Sequence, residues 1–420
     1  MSDEIFRQIM AIRDTGRVNM FDVPAVQRMA FESGFYELVW LHRGASRSVH
    51  TLHSDGREVV ALKHSEIPKY TQIFACYMCL SEAYMYMKKR KQGKQRKGIS
   101  KMKAATARQI ENMKKQTIGV EVEMYGISRR DAAGIAADFF GTGDFKDTAR
   151  RNGYCTWSAW DDQGREWKFQ RDVSIEAGSS AEQTELVTPI LHYEDIERLQ
   201  ELLRRLRHAG AKSNPAHMCG VHIHIGKGEH TAQTLRNLAN LMASHESLLI
   251  AAMRIDRSRL GRYCRTVNRT FLDRLNKEKP QTMEKLADIW YEGNSAAHGR
   301  EQHYNGSRYH CLNLHAVFTK GTIEFRLFQF ANPTAERRGG LHAGELKSYI
   351  QLCLALSEAA KSLKTASPKE PQRENLKFAM RTWLMRLGFI GWEFATARDI
   401  LTKNLAGDAA FRFGRSTPSA

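Results

Sequence analysis

Three segments of the chain place charged or histidine side chains two residues apart, with apolar residues at the positions between them. The paired residues are Glu121 and Glu123, His222 and His224, and Glu324 and Arg326. Side chains alternate between the two faces of a β-strand, so the members of each pair must share a face. One sheet with an apolar underside and a polar upper face satisfies all three segments. The sequence therefore predicts that these six side chains lie on one polar face.

A polar strand face also occurs where a strand is half exposed at a sheet edge, and for one strand alone that is the commoner explanation. Three such strands in one chain favour a functional surface instead. A fourth segment, residues 170–191, adds Asp172, Ser174 and Glu185. Carboxylates with histidine suit a hard cation held with water and phosphate oxygens, and not a thiolate zinc site. The sequence therefore predicts Mg²⁺, with Mn²⁺ as the alternative ion.

The fold class follows from the order of the predicted elements after Thr117. Candidate strands are 117–125, 167–175, 183–190, 219–226, 308–318 and 321–329. Candidate helices are 129–140, 194–209, 231–256, 342–364, 374–388 and 394–405. Several strands separated by helices in irregular order favour an α+β fold, with a mainly antiparallel sheet carrying helices on one side.

A length of 420 residues predicts two or three globular units. The patterns divide the chain into four parts: a small, mainly helical amino-terminal module at 1–85, a basic linker or exposed helix at 86–115, a catalytic domain at 116–365, and a carboxy-terminal helical extension with a disordered tail at 366–420. No internal repeat is present in the sequence.

Most of the net charge of +18 comes from the segment between Lys88 and Lys115. This segment, the basic strip, contains twelve Lys or Arg residues against one acidic residue, Glu111. Such a run is typical of a solvated linker or an exposed helix. The alternative is a patch that tethers nucleic acid or another acidic partner.

Targeting signals and common nucleotide-binding motifs are missing from the sequence. Six charged residues interrupt the first twenty, and no window approaches about 18 uninterrupted apolar residues. The odd number of cysteines, seven, does not form a disulfide framework, and Cys76 and Cys79 lack the second pair of a structural zinc site. We therefore expect a cytoplasmic protein without membrane contact. No glycine-rich phosphate loop stands between a strand and a helix, which disfavours P-loop and Rossmann sites.

The ordered combination G-x-E-x-E, D-x-S, E-x-x-T-P, C-G-x-H-x-H and I-E-x-R resembles the amidoligases, a family in the glutamine-synthetase and glutamate–cysteine ligase superfamily of carboxylate–amine ligases. The similarity covers about residues 116–365. It implies a glutamine-synthetase-like fold in which the concave face of a curved, mainly antiparallel sheet binds ATP and two or more divalent ions. The string at residues 11–41 also resembles a short phage-associated domain of unknown function, which suggests a phage or mobile-element context.

The resemblance implies roles for individual residues. The implied metal ligands are Glu121, Glu123, Glu185, His222 and Glu324. The implied nucleotide-binding residues are His222, His224, Arg326, Ser174 and Asn268. The residues expected to act in catalysis are Arg326, Arg308 and Asp172. The two arginines would stabilise charge on the transferring phosphoryl group. Asp172 or Glu176 could accept the proton that the amine loses, and the sequence does not choose between them.

These expectations give a reaction class. A carboxylate resists attack by an amine because oxide would have to leave, and ATP solves this by converting the carboxylate to an acyl phosphate. We therefore expect an ATP- and Mg²⁺-dependent carboxylate–amine ligase whose substrates are a peptide, a protein side chain, or a cell-wall or phage-derived group. A homo-oligomer is compatible with the sequence.

Three other functions are weighed against the ligase. A guanidino kinase of the same superfamily is poorly separated from a ligase by sequence. A non-catalytic protein that binds nucleic acid or another polyanion through the basic strip is the alternative from a different class. A metallo-hydrolase is disfavoured because HIHIGKGEH lacks the further His or Asp ligand that such enzymes add close to H-x-H.

Overall fold

A computed structural model describes residues 104–333, 339–371 and 374–413, together with Ala30 and the strands 51–54 and 57–60. The chain divides into two compact units, Met1–Lys101 and Met102–Ala420. Most of the predicted helical module, Cys76 and Cys79, the first part of the basic strip and the predicted tail at 414–420 lie outside the described residues. In the first unit, β1 (Thr51–Ser54) and β2 (Arg57–Val60) form an antiparallel pair.

The second unit is built around an eight-stranded antiparallel sheet with the order β4-β5-β6-β7-β3-β8-β10-β9. Its strands are β3 (Ile118–Met124), β4 (Phe145–Asp147), β5 (Trp157–Trp160), β6 (Glu166–Gln170), β7 (Thr184–Val187), β8 (Val221–Gly226), β9 (Leu312–Asn313) and β10 (Thr322–Phe328). The α+β class and the antiparallel sheet predicted from the sequence are confirmed.

Helices connect and cover these strands. They are α1 (Ala104–Lys114), α2 (Arg129–Phe140), α3 (Ala149–Asn152), α4 (Ile196–His208), α5 (Ala232–Met253), α6 (Arg257–Arg262), α7 (Arg269–Glu278), α8 (Met283–Gly293), α9 (His315–Thr319), α10 (Ala343–Ser362), α11 (Leu376–Arg386) and α12 (Ala395–Thr402). No helix in the described ranges combines the length and the apolar character needed to cross a bilayer.

The apolar face of the sheet forms the core. Val120, Val122, Ile223 and Phe325 from the three central strands are at most 1% exposed. Helix α10 contacts β8 and also packs against α1, α4, α5 and α12, so it ties the carboxy-terminal helices to the sheet. The strands that carry the predicted polar residues therefore also supply the centre of the core.

Helix α1 brings the last part of the basic strip into the second unit. Met113 is buried, the Lys114 ammonium lies 2.7 Å from a Glu393 carboxylate oxygen, and Asn112 donates a hydrogen bond to Glu358 on α10. Residues 104–114 therefore pack against the same helices that support the sheet.

One predicted strand is wrong. Residues 308–318 form the end of a 3₁₀ turn, the two-residue strand β9 and helix α9. The Asn313 side-chain oxygen accepts a hydrogen bond from the His315 backbone N–H at 2.9 Å and so turns the chain into a helix. The predicted strand at 167–175 is also too long, because Asp172 accepts from the Ser174 N–H and ends the extended backbone.

Burial of the apolar face predicts a clear difference between two isoleucines. Ile223 is fully buried in β8, whereas Ile190 is 69% exposed. We expect Ile223→Ala to lower the free energy of unfolding by about 2–5 kcal/mol. The matched control Ile190→Ala should change it by less than about 0.5 kcal/mol. Urea unfolding of the two variants measures both values, and equal losses would contradict the assignment of the buried face.

Candidate active site on the polar face of the sheet

The six polar residues predicted from the strand pattern, together with Glu185, meet on one face of the sheet. Cross-strand register makes three pairs: Glu121 with His222, Glu123 with Glu185, and Glu324 with His224. Arg326 follows Glu324 by two residues on β10. All of these residues are buried except Glu121, which is half buried. We call Glu121, Glu123, Glu185, His222, His224 and Glu324 the polar row.

Two histidines surround Glu121 in the middle of the row. Nδ1 of His222 lies 3.0 Å from one Glu121 oxygen, and Nε2 of His224 lies 3.2 Å from the other. Burial alone would raise the pKa of Glu121, but His224 and His222 together hold it well below its usual value. Glu121 is therefore a carboxylate whose ionised form is favoured by its neighbours.

Glu324 is held between a cation and an amide. Its Oε1 accepts a hydrogen bond from Arg326 at 2.5 Å, and its Oε2 accepts one from Asn313 at 2.6 Å. Burial works against the charge of Glu324, yet Arg326 and the histidines lower its pKa to about 2. The same pairing raises the pKa of Arg326 above its usual value despite its burial. This end of the row is internally neutralised.

Carboxylates accumulate at the other end of the row. Glu185 accepts a hydrogen bond from Gln170 at 2.8 Å but has no cationic partner among the described residues. Burial, followed by the charges of Glu121, Asp172 and Glu123, raises the pKa of Glu185 well above its usual value. This end of the row therefore has an excess of negative charge that a cation would relieve.

The donor set fits divalent cations. Three groups of side chains each bring three ligand atoms within 4.8 Å of one another: Glu121, His224 and Glu324; Glu121, Glu185 and His222; and Glu123, Asp172 and Glu185. Nε2 of His224 is buried and lies 3.2 Å from a Glu121 oxygen and 4.0 Å from a Glu324 oxygen, so all three atoms face one point. Carboxylates mixed with imidazole suit Mg²⁺ or Mn²⁺. The row could therefore hold up to three ions through shared carboxylates.

Two predicted arginines flank one aromatic ring. The Arg308 guanidinium lies 5.8 Å from the Tyr309 ring centroid, and the Arg326 guanidinium lies 5.7 Å from the same centroid. Arg308 is 9% exposed and also donates to the His303 carbonyl at 3.0 Å. Both guanidinium groups therefore lie near the Tyr309 ring.

The remaining predicted residues differ in position. Asp172 is half buried and joins Glu123 and Glu185, and Ser174 follows it in the same turn. Asn268 instead caps helix α7, since its side-chain oxygen accepts from the Thr270 and Phe271 N–H groups. Asn268 lines a small cavity beside α7 and α8, and no residue of the polar row lines that cavity. The structure gives Asn268 a capping role and not a contact with the row.

Sequence reasoning missed several residues that support the row. Gln170 and Asn313 donate hydrogen bonds to Glu185 and Glu324, and the Lys320 ammonium lies 3.9 Å from a Glu121 oxygen. Gln170 stands two residues before Asp172 in the predicted strand 167–175, so its spacing carried a signal. Asn313 alternates with Leu312 and Leu314 in the predicted strand 308–318 and carried the same signal, whereas Lys320 lies outside any such pattern.

With this geometry established, comparisons with known proteins identify the family. Residues 114–357, more than half of the chain, match the family described as "Putative amidoligase enzyme". The chain belongs to the amidoligase family. The resemblance predicted from the ordered motifs is confirmed at this level. Residues 1–46 match a domain of unknown function (DUF5049), as the amino-terminal string predicted.

Comparisons of this amidoligase-family chain with curated proteins and with solved structures give weaker similarity. A search of curated proteins finds no match. A crystal structure of a bifunctional glutathione synthetase from Pasteurella multocida is similar with a TM-score of 0.38 and 13% sequence identity. The similarity covers 72% of this chain and 49% of that chain, so this chain spans about half the length of that protein.

The two ends of the row should respond differently to loss of one charge. Glu324→Gln leaves the buried Arg326 without its carboxylate, so we expect a loss of about 3–5 kcal/mol in the free energy of unfolding of the metal-free protein. Glu185→Gln keeps the hydrogen bond with Gln170 and removes repulsion from neighbouring carboxylates. It should leave the stability unchanged or raise it. Thermal melts in chelator compare the two, and a lower melting temperature for Glu185→Gln would contradict the charge excess.

Proposed function

We propose that this protein is an ATP- and Mg²⁺-dependent carboxylate–amine ligase of the glutamine-synthetase and glutamate–cysteine ligase superfamily. The family supports amide formation in general, and the superfamily, the ions and the route through an acyl phosphate are part of the proposal. The observation that supports it most is the polar row itself. Together with Asp172 it forms three overlapping groups of cation ligands, and Arg326 lies on the same buried face.

The reaction needs two consecutive transfers. A substrate carboxylate oxygen attacks the γ-phosphorus of ATP, the bond from that phosphorus to the β-γ bridging oxygen breaks, and ADP leaves. The amine nitrogen then attacks the acyl carbon, the amide bond forms, inorganic phosphate leaves and one proton is released. The protein must therefore position two anions against each other and neutralise their charge.

The residues of the row can neutralise the charge that the first transfer brings together. Glu121, Glu185 and His222 form the central ligand group, and divalent ions held there would offset phosphate charge. Arg326 and Arg308 present forked N–H donors beside Tyr309 and suit the transferring phosphoryl group. Glu324 fixes the direction of the Arg326 guanidinium through their hydrogen bond.

The second transfer also needs a base, which accepts the proton that the amine loses. Asp172 is half buried and lies among the carboxylates, whereas Glu176 is exposed. We propose Asp172 as the proton acceptor because it adjoins the row, and Glu176 is the alternative if Asp172 holds an ion with Glu123 and Glu185. A carboxylate that coordinates a cation is a weaker base, so the two roles exclude each other at any one moment.

The substrate proposals remain those suggested by the sequence: a peptide, a protein side chain, or a cell-wall or phage-derived group, in a cytoplasmic phage or mobile-element context. A guanidino kinase would use the same ATP and cation site, but a guanidino nitrogen would attack the γ-phosphorus in place of the carboxylate oxygen, and ADP would leave. Mass spectrometry of products formed with ATP and a panel of carboxylates and amines separates the two. An amide product loses water from the summed substrates, whereas a kinase product gains a phosphoryl group.

ATP binding should depend on a divalent ion. Phosphate oxygens beside the carboxylates of the row are repelled unless cations lie between them. We expect calorimetry to detect ATP binding with Mg²⁺ or Mn²⁺ and none in excess chelator. Glu121→Gln should lower turnover by at least about 10²-fold, the order lost with one preorganised charge-stabilising group.

The matched control for Glu121→Gln is Glu197→Gln on helix α4, whose side chain is 83% exposed. It should leave both ATP affinity and turnover unchanged. Equal ATP affinity with and without chelator, or full activity of Glu121→Gln, would contradict the role of the row.

The basic strip should act separately from the reaction. Its residues from Lys88 to Lys103 precede helix α1, which packs within the second unit. Replacing the basic residues of 88–103 by Gln should leave turnover of small substrates intact. It should weaken any binding to a nucleic acid or an acidic protein, and lower the salt dependence of that binding. Loss of small-substrate turnover in a folded variant would place the strip in the active site.

A further inference from the structure

Arg259, on helix α6, is a buried cation that the proposed mechanism does not use. It is 1% exposed, its Nε makes no hydrogen bond, and no carboxylate oxygen lies within 4.0 Å of its guanidinium among the described residues. A buried charge without an ionic partner is costly unless other groups hold it. The groups that hold the Arg259 guanidinium in place must therefore be identified from its other contacts.

The guanidinium occupies the space of a missing side chain. A Cβ at Gly220 would lie 2.0 Å from Nη1 and 2.4 Å from Cζ of Arg259, far inside van der Waals contact. Gly220 continues the β3–β8 ladder, since its carbonyl accepts from the Glu123 N–H at 3.1 Å. By strand alternation Gly220 shares its face with His222 and His224. The Arg259 guanidinium therefore lies on the polar face, next to the row.

Arg259 also donates a hydrogen bond to a backbone carbonyl in an irregular part of β10. The register between β10 and β8 shifts between Phe325 and Phe328, which indicates a β-bulge with one extra residue at Arg326 or Leu327. A bulge disrupts the ladder locally and re-aims a side chain, and bulges are common beside active sites. The Arg326 carbonyl accepts a hydrogen bond from Nη2 of Arg259 at 3.1 Å. The guanidinium thus takes up a backbone acceptor in the bulge.

The same helix holds the side chain of Arg326. Nε of Arg326 donates to the Tyr263 carbonyl at 3.4 Å, and Tyr263 follows α6 with its own N–H bonded to the Arg259 carbonyl at 2.8 Å. The carbonyl and the Nε of Arg326 therefore both bond to residues 259–263, while its backbone N–H bonds to the Cys311 carbonyl at 2.9 Å. A shift of Arg259 would move both anchors.

We propose that Arg259 is a positioning residue that fixes the bulge of β10 and thereby aims the Arg326 guanidinium at the transferring phosphoryl group. This inference rests on the proposed function, because it requires that Arg326 acts on that group. It also explains the glycine of the C-G-x-H-x-H motif in this chain, since any side chain at 220 would displace the guanidinium. Lysine at 259 keeps the charge but offers a single nitrogen in place of the planar fork.

The test is a double-mutant cycle between Arg259→Lys and Arg326→Gln, with ATP consumption as the activity. We expect Arg259→Lys to lower kcat by about 10²-fold, the effect of an ångström-scale misplacement of a reacting group, with the Mn²⁺ affinity of the protein unchanged. In the Arg326→Gln background, Arg259→Lys should cause no further loss, because it acts through Arg326. Arg257→Lys, an exposed neighbour on α6, is the matched control and should keep full activity.

A purely structural role would give another pattern. It would lower the melting temperature and cut kcat by the same factor in both backgrounds, which would overturn the inference.

If Arg259→Lys does not fold, Gly220→Ala replaces it. A folded Gly220→Ala protein should lose kcat with unchanged Mn²⁺ affinity, and wild-type kcat in it would also overturn the inference. Wild-type protein that consumes no ATP with any carboxylate and amine overturns the proposed function, whereas an active wild type with an equally active Arg259→Lys overturns this inference alone.

Discussion

The sheet depends on how it tolerates the four carboxylates of the polar row close together on one largely buried face. Glu121 and Glu324 are offset by histidines and Arg326, while Glu123 accepts the backbone N–H of Gly220. Among the described residues, the hydrogen-bond partner of the Glu185 carboxylate is the Gln170 amide alone. Taking charges out of water is costly, so a face like this persists only when rigid neighbours supply compensating donors. Antiparallel pairing supplies that rigidity, because each carboxylate stands on a strand bonded on both sides.

The same strands serve stability and chemistry through their two faces. In β3, Val120 and Val122 contribute to the core, and the residues between and after them carry the row. Helix α10 packs beneath the sheet against β8 and several other helices. The ligand atoms are therefore placed by the most constrained backbone of the unit. Sites built on strands in this way hold their geometry better than sites built on loops.

The parts of the site that the sequence could predict are those set by local periodicity. Glu121 and Glu123 must share a face whatever surrounds β3, and the same holds for the pairs on β8 and β10. Asn268 could not be placed in advance, because an asparagine before a helix serves equally as a cap or as a ligand. Asn313 lies directly opposite Glu324 on the two-residue strand β9, whereas Arg259 reaches Arg326 from helix α6 through long-range packing. No spacing in the chain records the contact of Arg259.

Two carboxylates of the row belong to more than one ligand group. Glu121 is shared by the first and second groups, and Glu185 by the second and third. An ion in one group would therefore fix a side chain that its neighbour also needs, so the occupancies are thermodynamically linked. Linked occupancy is reciprocal: whatever the first ion does to the affinity for the second, the second does to the affinity for the first. The ions would therefore not bind independently, and a titration that assumes independent equivalent ions would misjudge both number and affinity.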